Sequence, residues 1–224
     1  MANSDDLISR HQQGLKGILN KYTFKKFYTS NYFFFCIALT CILTVMPVLS
    51  SNSPETIYKL IEDISSSVLS AFPSLLGFSL AGYALIIGTI NIGVMRRMSE
   101  PQESMGSLSF FQFVSSVFAL SVLIQCVTLL AAFVIHVVLK QEWEMLLCIS
   151  CNWVNIPVYG ILLFLVIESM VLLGNMVINI FTYGQSVHLC LRVEEEIPND
   201  DSSIWDEVKD CIKNVVRKML NSHD

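Results

Sequence analysis

The chain has 224 residues, of which 53% are hydrophobic and 15% charged, and its formal net charge is −5. Typical soluble domains carry about 25% charged residues, and here the mean hydropathy is +0.57. With the apolar residues gathered into four long runs, this excludes a disordered chain, a disulfide-rich secreted miniprotein and a conventional soluble enzyme. The expected class is all-α: an integral membrane protein with a four-helix transmembrane bundle and amphipathic flanking helices.

The first segment, residues 1–31, is basic and polar. Within it Leu7, Ile8, Leu15, Ile18, Leu19 and Tyr22 recur at helical spacing. That predicts a short amphipathic helix near the inner leaflet, weakened by Gly14 and Gly17. No cleavable signal peptide is evident, because the first apolar run begins only after some thirty polar residues. Crossing a hydrocarbon core of ~30 Å takes about 20 apolar residues, and the four runs that qualify are 32–49, 68–94, 110–139 and 156–181. Between the first two, Ser53-Pro54-Glu55 reads as a helix start. Ile57, Leu60, Ile61 and Ile64 then predict an outer amphipathic helix that runs into span two, with a kink or break near Pro73.

Span two carries a packing signal. Ser67, Ser70, Ser74, Gly77, Ala81, Ala84 and Gly88 recur every three or four residues, and Asn91 continues the series. Small residues let helix backbones approach closely, a main source of association in lipid. The face packs either within one subunit or between subunits. The loop 95–109 is short, polar and without a motif.

Span three has a polar face of Ser121, Gln125, Thr128 and His136. The following loop holds Cys148-x-x-Cys151, half a zinc site at best, and open to either a local disulfide or interfacial packing. Cys36, Cys41 and Cys126 lie in spans and read as small apolar packers. Span four holds the one intramembrane acid, Glu168, with Asn175 and Asn179 seven and eleven residues later. At 100° per residue all three fall within about 20° on the helical wheel, so they form one seam. Gln125 and Glu168 each lie mid-run on antiparallel helices, which would allow them to meet at one depth. A charged carboxylate there costs roughly 2.5 to 3.5 kcal/mol on the insertion scale for Asp. Either a neutral carboxyl donates to Gln125 or a neighbour, or a carboxylate faces water in a pore or cavity.

The tail, residues 184–224, follows. Glu194, Glu195 and Glu196 precede the breaker Pro198-Asn199, and a second helix is expected over 203–220. Trp205, Val208, Ile212, Val215 and Met219 lie on its wide apolar face. That face needs cover: the membrane surface, the same helix of neighbouring subunits, or a cytosolic partner. The acidic residues before it favour partner or self-assembly.

Orientation comes from lysine and arginine. Twelve lie in the two ends and the middle loop, against Lys59 and Lys140 in the other two loops. The positive-inside rule then places both termini and the middle loop in the cytosol. Tyr28, Tyr32, Trp143, Trp153, Tyr159 and Tyr183 sit where interfacial anchors are expected.

Enzymatic chemistry is not expected. His11, His136, His188 and His223 are far apart, and no H-E-x-x-H, G-x-S-x-G or phosphate-binding loop occurs. No cofactor, metal or direct nucleic-acid contact is expected, since the tail mixes charge signs rather than forming a basic stripe.

The four-span layout with cytosolic ends, short loops and the run Phe72-Pro73-Ser74-Leu75-Leu76-Gly77-Phe78-Ser79-Leu80-Ala81-Gly82-Tyr83-Ala84 resembles KwaA, the membrane-subunit family of the Kiwa anti-phage defence system. The resemblance implies a homo-oligomeric inner-membrane sensor that holds a cytosolic DNA-binding partner, KwaB. The leading expectation is therefore a non-enzymatic membrane sensor or scaffold that oligomerises and recruits a cytosolic effector. The rival is a pore or channel with Glu168, Asn175 and Asn179 lining its path. A secondary transporter fits less well, because the four spans show no repeated half.

Overall fold

A computed structural model describes residues 30–50, 54–89, 110–141 and 152–196. They form four α-helices: α1 (Asn31–Ser50), α2 (Pro54–Thr89), α3 (Phe110–Lys140) and α4 (Asn152–Glu196). All four are long and apolar enough to cross a membrane, and the described residues contain no strand.

Local chemistry fits these boundaries. Ser30 stands at the cap position of α1, where a side-chain oxygen can accept from an early backbone N–H. Pro54 opens α2, where its missing N–H is no loss. Glu55 in that first turn suits the positive helix end and pairs with Lys59 at 2.8 Å. Lys140 closes α3, complementing the negative end. The last residue of α4, Glu196, stands two positions before Pro198.

The packing divides into two units. One comprises Asn31–Gly82 and Ser121–Asn175. Its core is Ile57, Ile61, Val68 and Phe72 of α2, Ala132 and Leu139 of α3, and Tyr159, Leu162 and Leu163 of α4. Here α1 lies against α4, with Phe33 edge-on to Phe164 at 5.9 Å between ring centroids. A methyl group placed on Gly160 would meet Thr44 at 3.6 Å, so the two backbones run close. Of the described residues, the second unit includes 83–89, 110–120 and 176–196. In it Phe118, Val114, Ile86 and Met176 are buried, and Phe118 packs against Tyr83 at 5.5 Å.

Large apolar side chains also point outward, among them Phe34, Phe35, Met46, Leu49, Leu130, Phe133, Ile161 and Phe181. So much exposed hydrocarbon would be a liability in water and is the expected surface of a protein solvated by lipid. The chain is a multi-pass membrane protein by this measure.

Several expectations change. The outer amphipathic segment does run into span two, but without a break: α2 is one helix of 36 residues that includes Pro73. Proline removes one donor, a gap that membrane helices tolerate. α4 continues through residues 183 and 184, from the expected span into the expected tail. Tyr159 is a core residue, 6% exposed and packed among aliphatic side chains, rather than an interfacial anchor. Trp153 is 91% exposed. Of the three span cysteines only Cys36 is buried, while Cys41 and Cys126 face outward. The N-terminal segment, the residues 95–109, the Cys148–Cys151 pair and the helix expected over 203–220 lie outside the described residues.

Candidate functional site

The polar groups of α3 form a ladder along one buried face. Ser121, Gln125 and Thr128 are at most 1% exposed, and His136 is half-buried. Each rung meets a neighbouring helix or its own. Gln125 accepts from Ser79 of α2 at 3.2 Å and donates to Ser121 at 3.4 Å. Thr128 stands 2.9 Å from Ser169 of α4 and 3.3 Å from the Leu165 carbonyl. His136 Nδ1 lies 3.4 Å from Ser65 of α2. One helical turn further on, Lys140 pairs with Glu62 at 2.9 Å. Ladders of this kind are worth roughly 0.6 kcal/mol per bond in membranes. Each rung joins groups that lie at one depth of the span.

The hydrogen-bond partners of Gln125 are Ser79 and Ser121, and Glu168 is not among them. Ser169 of α4 faces Thr128 of α3, and Glu168 lies about 100° around the helix from it. Thr128, three residues along from Gln125, is the group level with Leu165 and Ser169. Glu168 is itself buried, at 4% exposed. Its Oε1 is buried without a hydrogen-bond partner. Asn175 is half-buried and Asn179 is 8% exposed. The three seam residues of α4 thus turn inward within a single chain.

The small-residue face of α2 behaves in the opposite way. Ser70, Ser74, Gly77, Ala81, Ala84 and Gly88 are all exposed. Methyl groups built on Gly77 and Gly88 would meet nothing within 4 Å. Among the described residues α2 packs through Ile57, Ile61, Ser65, Val68, Phe72, Ser79 and Ile86 instead.

Ser65, Ser79 and Ser169, the partners of the α3 ladder, were not singled out from sequence. The signal was there for α2, since Ser65, Val68, Phe72 and Ser79 keep the spacing of three, four and seven that marks a packed helix face. The small residues two positions away obscured it. The proposed contact residues Trp205, Val208, Ile212, Val215 and Met219 lie outside the described residues.

Among the described residues no three histidine, cysteine or acidic side chains converge on a possible metal position. No protein-family model matches the chain, and neither a curated protein nor a solved structure matches it.

Proposed function

We propose that this chain is a non-enzymatic sensor or scaffold subunit of a bacterial inner membrane. In this reading it oligomerises through the small-residue face of α2 and recruits a cytosolic effector through the tail. The resemblance to KwaA makes anti-phage defence the setting and a KwaB-like DNA-binding protein the effector. Both termini then lie in the cytosol, as the lysine and arginine distribution requires.

One observation carries the reading. A continuous face of Ser, Gly and Ala points away from the chain's own core, where it contributes nothing to the fold. Lipid tails gain little from such a face, whereas another helix gains close backbone contact. The pore reading draws less support. A ring of Glu168 around an axis shared by subunits needs the carboxyl on an outer surface, and Glu168 is 4% exposed in a single chain.

The test is co-purification from detergent extract with three versions of the chain. The intact chain should yield cross-linked oligomers and a soluble partner. Gly77→Leu with Ala81→Leu should lose the oligomers, and removal of residues 203–220 should lose the partner while keeping them. Oligomers that survive the double substitution, or a partner that survives the deletion, would defeat the corresponding half of the proposal.

A further inference from the structure

The hydroxyls that join α3 to its neighbours are each shared with a carbonyl of their own helix. Ser79 Oγ donates to the Leu75 carbonyl at 2.9 Å and lies 3.2 Å from Gln125 Oε1. Ser65 Oγ donates to the Glu62 carbonyl at 2.9 Å and lies 3.4 Å from His136 Nδ1. Thr128 Oγ1 donates to the Ile124 carbonyl at 2.8 Å, with Ser169 Oγ at 2.9 Å and the Leu165 carbonyl at 3.3 Å. A hydroxyl has one proton to give, so two acceptors compete for it. In all three cases the shortest contact is the one inside the helix.

The consequence concerns what happens when helices part. An interhelical bond broken in hydrocarbon ordinarily strands a donor, at a cost of several kcal/mol. Here the donor is already held at home, in the back-bonded arrangement that serine and threonine adopt in membrane helices. Gln125 retains Ser121 on its own helix. Ser169 stands four residues after Leu165, the spacing at which it too can bond its own helix.

We infer that α3 is the compliant helix of this unit, able to shift along α2 and α4 because its hydroxyl contacts fall back onto intrahelical carbonyls and its ion pair with α2, Lys140–Glu62, is open enough to be weak. Exposing apolar side chains to lipid carries no hydrophobic cost, since lipid tails are as apolar as they are. This inference needs only the membrane-spanning helices and stands apart from the oligomer and partner proposed above.

Two measurements test it. In detergent titrated with dodecyl sulfate, Ser79→Ala and Thr128→Val should each change the unfolding equilibrium constant less than fivefold. Nitroxide-bearing unnatural residues at exposed Ala71 and Val127 would report α2–α3 distances by double electron–electron resonance. The same label at Ala71 with one at exposed Met170 would report α2–α4. The α2–α3 distribution should be the broader. A change of fivefold or more in either variant overturns the inference, and so does an α2–α3 distribution no broader than the α2–α4 one.

Discussion

The two faces of α2 are two residues out of step, and they have opposite fates. Residues 65, 68, 72, 79 and 86 are buried, while 67, 70, 74, 81 and 88 are exposed. At 100° per residue an offset of two is about 200°, so the faces lie on opposite sides of the helix. The buried side mixes bulky apolar groups with serines that reach a partner. The exposed side is small throughout. Size, not polarity, separates them: both sides carry serine. What holds this chain together is volume and matched rungs, and what remains outside is a surface whose shape suits another backbone.

Substitutions that exchange the roles of the two faces put that contrast to the test. The largest effect should come from Phe72→Ala on the buried side, since Phe72 is 1% exposed. Truncating such a core ring costs about 3 to 5 kcal/mol, measurable as a lower unfolding midpoint in detergent. A loss below about 1 kcal/mol would mean that α2 packs through some other face. Next comes Gly77→Leu with Ala81→Leu on the exposed side. It should leave the monomer's midpoint no lower, because leucine forms helix better than glycine. Self-association should fall at least tenfold by sedimentation in detergent; equal association would assign the face to lipid.

A smaller effect is expected at Glu168. Replacing a buried acceptor that lacks a partner with an apolar side chain of similar size relieves a desolvation cost of about 1 to 3 kcal/mol. Glu168→Met should therefore raise the unfolding midpoint, and a fall would mean that the carboxyl is bonded where Oε1 now stands alone. Smallest is Lys140→Met. The ion pair with Glu62 has side chains 62% and 39% exposed, and pairs this open shift stability only slightly. The difference between wild type and variant should shrink further in high salt.

The spans were legible because hydrocarbon thickness sets a length that apolar runs either meet or miss, and all four met it. The rotation of each helix was less so. In water the polar side of a helix is the outer one; in lipid that rule fails, and the wheel shows a seam without saying which way it turns. Glu168, Asn175 and Asn179 were read together from spacing alone. That Ser169 rather than Glu168 would face α3 depended on tertiary contact. Tyr159 misled for a related reason: an aromatic close to a span's end suits the interface by chemistry, yet its neighbours Ile156, Val158 and Leu162 belong to the same packed cluster. At Pro73 the helix does not break, because a membrane helix can satisfy the backbone group that proline frees.

The length of α4 has a mechanical consequence. Its apolar span ends at Phe181, while the helix continues to Glu196. Those last fifteen residues make a rod of about 22 Å at 1.5 Å per residue. If the span tilts by ~10° as a rigid rod, its tip swings sideways by roughly 4 Å. Small changes in bilayer thickness or tension would thereby become displacements large enough to make or break a protein contact.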